Sequence, residues 1–199
     1  MSSPLGRLES VCVFCGSSNT ARPALLSAAA ALGEILAREG VRLVYGGGGG
    51  GLMGACAGAA RQAGGRVLGV IPRFLTHVEA APAGADIVVV ASMHARKMRM
   101  FEEADAFAVL PGAIGTLEEA IELLSWRRLG LHAKPIVFYN PENFWAPLFA
   151  LFQQFIDARL LLPQFADCWR AVEGIEGVVP ALRAIPTTFV NVSGATALI

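Results

Sequence analysis

The chain has 199 residues, of which 54% are hydrophobic. It can bury one sizeable core, which predicts a single domain over residues 1–199. Its 16 Lys and Arg cancel its 16 Asp and Glu, so its net charge attracts neither nucleic acid nor an anionic membrane. No apolar run approaches the roughly 20 residues of a spanning helix, and no secretory signal pattern is visible. We therefore expect a cytoplasmic protein that binds any phosphate through local groups.

Short apolar, β-rich runs alternate with helical stretches along the chain. The predicted strands cover 11–14, 41–45, 66–71, 87–90, 106–110 and 135–138. The predicted helices cover 23–39, 52–63, 92–104, 116–129, 143–158 and 166–172, and Gly40, Gly64 and Gly130 are placed to end three of them. Almost wholly apolar strands in β-α-β order are typical of parallel strands covered on both faces.

The predicted fold class is therefore α/β, a three-layer α/β/α Rossmann-like doubly wound parallel sheet. Residues 1–9 and 187–199 lack helix or strand patterning and are expected to be loose tails. The four cysteines have neither the density of a disulfide scaffold nor paired zinc-ligand spacing. Cys12 and Cys15 spell C-x-x-C, but strand alternation sends positions three apart to opposite faces. We expect reduced cysteines and no metal site.

Three loops rich in small residues follow predicted strands, at the edge where open α/β sheets bind ligands. They are the segments 16–19, 46–51 and 111–116. Residues 46–51 are six consecutive glycines, whose bare N–H groups can approach an anion at the start of the next helix. Ordering six glycines is entropically unfavourable, which favours a phosphate site over a plain turn.

Gly46, Gly48 and Gly51 also match the dinucleotide fingerprint G-x-G-x-x-G. A classical NAD site has this motif after the first strand and an acid at the end of the next strand. Here the motif follows the second strand, and the third ends at Ile71-Pro72-Arg73. No Lys followed by Ser or Thr closes the run, so a P-loop is excluded. A dinucleotide-dependent enzyme is disfavoured and would be revealed by NAD binding.

Two further patterns point to the same edge of the sheet. Thr116 is placed as a helix N-cap with Glu119 three residues on, which is a capping box, although the same carboxylate could face the mouth of the sheet. Arg96, Lys97 and Arg99 follow the fourth strand, with Arg96 and Arg99 on a shared helix face. In a chain with so few charges, this cluster favours an anion site over a solvated face.

Taken together, these residues resemble the LONELY GUY family of cytokinin-activating phosphoribohydrolases, often labelled lysine decarboxylase-like. The resemblance rests on Cys15-Gly16-Ser17-Ser18, on Tyr45 through Gly54, on Met93-His94-Ala95-Arg96-Lys97 with Met100, and on Pro111 through Glu119, which is similar to the signature P-G-G-x-G-T-x-x-E. It implies a Rossmann-like fold, a homodimer or higher homo-oligomer, and no metal or redox cofactor. The implied reaction releases a free base and ribose 5-phosphate from an adenosine-type nucleoside 5′-monophosphate.

By this resemblance, Arg96 and Glu119 are the catalytic residues. Glu119 would stabilise an oxocarbenium-like ribose or orient water, and Arg96 would hold the substrate and stabilise departing negative charge. The substrate-binding residues that we expect are Gly16, Ser17, Ser18, Gly46, Gly47, Gly48, Glu79, Met93, Lys97, Arg99, Asp105, Pro111, Gly112, Ala113, Ile114, Gly115 and Thr116.

Ala113 replaces the second glycine of the signature, and its methyl group could narrow the phosphate loop. It keeps open an alternative, a non-catalytic nucleotide-binding or carrier protein. The decarboxylase label lacks chemical support, because neither lysine of the chain, Lys97 or Lys134, has the context of a Schiff-base lysine. The preferred base, adenine or prenylated adenine, stays open, as does whether residues 126–128 line a dimer interface or anchor the core.

Overall fold

The core of the protein is one parallel sheet of seven strands. The computed structural model describes residues 8–76 and 86–187. The strands are β1 (Ser10–Phe14), β2 (Arg42–Tyr45), β3 (Val67–Pro72), β4 (Asp86–Val90), β5 (Ala106–Val109), β6 (Ile136–Tyr139) and β7 (Arg170–Val172). They lie in the order β4-β3-β2-β1-β5-β6-β7, with every neighbouring pair parallel. The order reverses between β1 and β5, which makes their carboxyl ends the expected ligand crevice.

Helices cover both faces of this sheet. They are α1 (Pro23–Arg38), α2 (Gly51–Gln62), α3 (Met93–Glu102), α4 (Ile114–Arg128), α5 (Ala146–Asp157) and α6 (Val178–Ala184). One buried cluster joins the sheet to α1, α2 and α6, and a second joins its other face to α3, α4 and α5. The predicted three-layer, doubly wound α/β architecture is confirmed.

Cys12 and Cys15 of the C-x-x-C pattern belong to different clusters, as the strand alternation predicted. All four cysteines are free and buried. Across the residues that the structure describes, no helix is long and apolar enough to span a bilayer.

The predicted elements are confirmed to within a few residues through α5. Gly40, Gly64 and Gly130 follow α1, α2 and α4 with φ of 69°, 76° and 73°, a conformation that favours glycine. The helix predicted at 166–172 is wrong. A 3-10 helix at Pro163–Cys168 precedes β7, whose residues pair with the free edge of β6. This sheet pairing overrides local propensity.

α6 was not predicted from the sequence. The predicted tails, 1–9 and 187–199, lie outside the described residues except at positions 8, 9 and 187.

α1 and α2 approach each other closely where α1 carries Gly33. A Cβ atom at this position would overlap the Cys56 carbonyl oxygen and lie 2.9 Å from the Ala60 nitrogen, so the obstacle is rigid helix backbone. Gly58 lies in α2, and a Cβ atom at this position would have open space around it. The two glycines therefore separate a packing requirement from a simple helix-propensity effect.

Gly33→Ala is expected to lower the free energy of unfolding by about 1 to 3 kcal/mol, because the added methyl must push the helices apart. Gly58→Ala is expected to raise it by about 0.5 to 1 kcal/mol, since alanine is the better helix former. Urea unfolding monitored by circular dichroism measures both. Equal stabilisation by the two alanines would show that the helices do not meet as described.

Candidate active site

A cavity of 170 Å³ opens at the carboxyl ends of the central strands. It lies at the reversal of strand order, as expected for an open α/β sheet. The predicted residues that the structure brings together in its wall are Gly16, Ser17, Gly46, Met93, Arg96, Ala113, Gly115, Thr116 and Glu119.

Arg96 occupies the floor of this site as a buried charge. α3 begins at Met93, because the Ser92 hydroxyl accepts a hydrogen bond of 3.1 Å from the Ala95 N–H and caps the helix. This start places Arg96 in the first turn, with 7% of its surface exposed. Its Nη2 donates to the Gly46 carbonyl oxygen at 3.1 Å, and its Nη1 lies 3.9 Å from the Met93 sulfur. Among the described residues its buried Nε has no hydrogen-bond partner.

Glu119 enters the same cavity from α4. Burial raises the pKa of this carboxyl to about 7, although the positive charge of Arg96 opposes the rise. The neighbouring carboxylates of Glu118 and Glu122 also raise it. Near neutral pH, both the protonated and the ionised form of Glu119 are therefore populated, which suits a group that accepts or donates protons in a reaction.

The amino end of α4 forms the third side of the site. The helix begins at Ile114, with Ala113 at the N-cap position, so the predicted capping box starting at Thr116 is wrong. Thr116 is buried and packs against Gly112, where a Cβ atom would overlap its hydroxyl oxygen. The first N–H groups of a helix have no acceptor within it and carry positive potential. At Gly115 and Thr116 they lie in the cavity wall, where an anion can bind.

The amino end of α2, by contrast, is already filled by the protein itself. The Gly51 N–H donates to Asn19 Oδ1 at 2.9 Å, and the Leu52 N–H donates to the Gly16 carbonyl oxygen at 2.9 Å. A Cβ atom at Gly50 would lie 2.9 Å from the Ser17 carbonyl oxygen. These glycines let the glycine run pack against the loop after β1, which explains them without a phosphate.

Several residues expected at the substrate lie away from the cavity wall. They are Ser18, Gly47, Gly48, Lys97, Arg99, Asp105, Pro111, Gly112 and Ile114. Six of these are next to lining residues in sequence, namely Ser18, Gly47, Lys97, Arg99, Gly112 and Ile114. Glu79 lies outside the described residues.

Lys97 is held by carboxylates of α4 instead of facing the cavity. Its Nζ pairs with Glu118 and, at 2.9 Å, with Glu122. Burial by itself lowers the pKa of Lys97, but the hydrogen bonds to these two carboxylates outweigh it and raise the pKa. The lysine therefore ties α3 to α4, the two helices that carry Arg96 and Glu119.

Arg99 and Asp105 are directed to other parts of the structure. Arg99 forms an ion pair of 2.6 Å with Glu103 one turn along α3. Asp105 precedes β5, so it lies at the amino edge of the sheet, opposite the cavity. There it accepts hydrogen bonds of 2.9 Å from the Ser10 N–H and hydroxyl. Neither side chain is placed to help at a nucleotide in this cavity.

The sequence reasoning missed the apolar side of the site. Met53 from α2, Met100 from α3 and Phe14 from β1 line the cavity with Met93. Met53 and Met100 lie within the motifs that carried the family resemblance, as Met93 does, but hydrophobic periodicity marks these two as ordinary core positions. Flexible, polarisable thioethers fit a flat apolar group of varying outline.

The chain is similar to known proteins over most of its length. A family model described as possible lysine decarboxylase matches residues 53–182. The cytokinin riboside 5′-monophosphate phosphoribohydrolase of Rhodococcoides fascians is 40% identical over 178 residues, 88% of this chain and 90% of that protein. One from Arabidopsis thaliana is 37% identical over 179 residues, 89% of this chain and 78% of that protein. The chain belongs to this family of phosphoribohydrolases.

Solved structures with the same fold include proteins that bind or carry the molybdenum cofactor. A molybdenum cofactor binding protein from Rippkaea orientalis superimposes with a TM-score of 0.66 at 25% identity, covering 90% of this chain and 98% of that one. The Moco carrier protein of Chlamydomonas reinhardtii has the same TM-score and coverage at 20% identity, which shows the shared fold. The fold therefore serves more than one function, and the site has to decide between them.

The lysines of the chain argue against the decarboxylase description of the family model. Lys97 is paired with carboxylates of α4, and the Lys134 Nζ donates to the Phe101 carbonyl oxygen at 2.6 Å while lying 4.1 Å from the centre of its ring. Neither lysine lines the cavity. Pyridoxal chemistry needs a lysine amine at the reacting centre, and this arrangement does not provide one.

The pH dependence of stability tests the environment of Glu119. Because its pKa is about 7 in the folded protein and lower in the unfolded chain, the folded state binds the proton more tightly. The stability that this tighter proton binding contributes is fully present below the pKa of Glu119 in the unfolded chain, and it is lost as pH rises through 7. Glu119→Gln should therefore gain stability relative to wild type between pH 5 and pH 8, by no more than roughly 3 kcal/mol.

Urea unfolding at the two pH values measures this difference. Glu122→Gln serves as the matched control, since Glu122 lies on the same helix but outside the cavity wall. It should retain most of the pH slope of the wild type, because Glu122 makes the smallest of these charge contributions to the Glu119 pKa. A Glu119→Gln protein whose stability follows wild type at both pH values would mean that the carboxyl is not buried as described.

Proposed function

We propose that the chain hydrolyses the N-glycosidic bond of adenosine 5′-monophosphate or its N6-modified forms, releasing the free base and ribose 5-phosphate. One observation carries the proposal: the Glu119 carboxyl and the buried Arg96 guanidinium face one cavity beside an open helix amino end. Relatives at 37 to 43% identity are named for this activity on cytokinin riboside 5′-monophosphates.

The phosphate of the substrate binds at the amino end of α4. Gly115 and Thr116 line the cavity in the first turn of this helix, where N–H groups lack partners within the helix and the helix dipole adds to the attraction. Gly112 leaves room for Thr116 to pack back into the protein, which keeps the wall of the phosphate site compact. No diffuse positive surface is needed, in keeping with the zero net charge.

The base occupies the apolar side of the cavity, against Met53, Met93 and Met100. Met93 is 38% exposed and lies at the mouth, whereas Met100 is buried at the back. A substituent on the exocyclic nitrogen of adenine meets side chains that adjust their rotamers at low energy. This arrangement supports a substrate range that includes both plain and N6-modified adenine.

Cleavage breaks the bond between the ribose C1′ and the base nitrogen, and the electron pair leaves with the base. Positive charge develops on the sugar, as in other glycoside hydrolyses. The Glu119 carboxylate stabilises this charge and accepts a proton from the water that adds to C1′. The proton then passes to the base nitrogen, which gives the free base and restores the carboxylate. Arg96 binds the substrate and stabilises the negative charge that develops on the departing base. The two residues thus act on opposite charges of one transition state.

Turnover tests this reaction directly. Purified protein incubated with AMP or isopentenyladenosine monophosphate should release free base, which chromatography detects. The kcat/KM should decrease as the pH is lowered through about 7, because Glu119 becomes protonated. Glu119→Gln should lower kcat/KM by about 10²-fold or more, and Glu122→Gln should stay close to wild type.

Folded wild-type protein that binds these nucleotides and releases no base would contradict the hydrolase. That result would favour a carrier function, for which the fold shared with molybdenum cofactor binding proteins and Ala113 in the phosphate loop are the supporting observations.

We also propose that two copies of the chain associate through the outer faces of α4 and α5. α5 is strongly apolar, but Phe152 is its one buried residue. An apolar groove of 340 Å³ runs beside it, with Ile121 and Leu160 exposed at its edges. Exposed apolar surfaces of this kind mark interaction sites. The activity would belong in the cytoplasm, in keeping with four free, buried cysteines.

Ile121→Glu should convert the assembly to monomers, because it places a charge inside the proposed interface. Phe74→Glu is the matched control, since Phe74 is 58% exposed and follows β3 in the other half of the sheet. Light scattering coupled to size-exclusion chromatography gives the mass of each. A wild-type monomer at micromolar concentration, or a dimer that survives Ile121→Glu, would contradict this interface.

A further inference from the structure

The first glycine of the run after β2 has no room for a side chain, for a reason different from its neighbours. Gly50 and Gly51 are crowded by the backbone of the loop after β1. A Cβ atom at Gly46 would instead overlap Nη2 of Arg96 and lie 3.0 Å from its Cζ. The guanidinium of Arg96 thus occupies the space that a side chain at position 46 would need.

The backbone of Gly46 also holds that guanidinium. Its carbonyl oxygen accepts the 3.1 Å hydrogen bond from Arg96 Nη2, and the described structure shows no carboxylate paired with Arg96 within salt-bridge distance. The direction of this carbonyl is fixed from both sides. Tyr45 before it is buried in the sheet, and Gly47 after it has φ of 81°, where a Cβ atom would lie 3.0 Å from the Cβ of Ile71.

We infer that Gly46 is a positioning residue, which seats the Arg96 guanidinium beside Glu119 through its carbonyl oxygen and the space left by its missing side chain. The catalytic consequence rests on the function proposed above, whereas the seating is a property of the folded chain alone. Gly46, which the sequence suggested for phosphate binding, therefore positions Arg96 instead.

Displacement of Arg96 should change the pKa of Glu119, which a general loss of stability would not do. The groups that face Glu119 are Arg96 and Lys97 from α3, Glu118 and Glu122 on its own helix, and Cys12 and Cys15 from β1. Arg96 contributes the largest of the charge effects on the Glu119 pKa, and it lowers this pKa. If the guanidinium moves away, the carboxyl should titrate at higher pH.

A double-mutant cycle tests the inference, with Gly46→Ala, Arg96→Ala and the double variant compared with wild type. Gly46→Ala should lower kcat/KM by about 10²-fold, as expected when a group that stabilises the transition state is misplaced. In the Arg96→Ala background it should cause little further loss, because coupled residues are not additive. Gly58→Ala, with open space around it, should leave activity unchanged.

Nuclear magnetic resonance titration of ¹³C-labelled glutamate carboxyls gives a readout without substrate. The Glu119 carboxyl should titrate at higher pH in Gly46→Ala than in wild type. Its pKa should also be raised in Arg96→Ala, and the double variant should give the same value as Arg96→Ala. If wild type shows no turnover, the proposed function fails, but this titration still tests the seating of Arg96.

Losses that add in the double variant, or an unchanged Glu119 titration in Gly46→Ala, would overturn the inference and leave Gly46 as part of the cavity wall. If Gly46→Ala does not fold, thermal unfolding of the double variant decides. Restored folding shows that the conflict was with Arg96, whereas a double variant that is equally unfolded places the conflict elsewhere, at Met53.

Discussion

Arg96 carries its positive charge inside the protein, and a buried guanidinium is costly unless its surroundings compensate it. The Gly46 carbonyl oxygen accepts its hydrogen bond and Glu119 supplies an opposing charge across the cavity. These groups come from α3, from the end of β2 and from α4. The parallel sheet brings these ends together at one edge, at the reversal of strand order between β1 and β5. The same burial that makes the charge of Arg96 energetically costly also raises the pKa of Glu119 into the range useful for catalysis.

The two helix amino ends near the cavity have different roles, although both follow glycine-rich loops. At α2 the N–H groups are taken by Asn19 and by the Gly16 carbonyl oxygen. At α4 the N–H groups of Gly115 and Thr116 remain in the cavity wall. The glycine run therefore builds the scaffold and seats the arginine, while the loop before α4 offers the anion site. A similar motif can thus serve packing in one loop and ligand binding in another.

The fold was predictable from the sequence because apolar strands and glycine-ended helices leave strong local signals. Arg96 and Glu119 were proposed from the family resemblance, and the structure brings both to one cavity. What the sequence could not show depends on long-range contacts. β7 forms because an edge of β6 is free, and Thr116 packs into the protein instead of capping α4. Lys97 and Asp105 look available in sequence, but partners distant along the chain occupy both. Local patterns do not report such competition.

The most direct test of this account is a crystal structure of Glu119→Gln bound to AMP. We expect phosphate oxygens within hydrogen-bonding distance of the Gly115 and Thr116 N–H groups, the ribose C1′ facing residue 119, and the base against Met53, Met93 and Met100. A phosphate bound instead along the glycine run at 47–49, with the ribose turned away from residues 96 and 119, would contradict it.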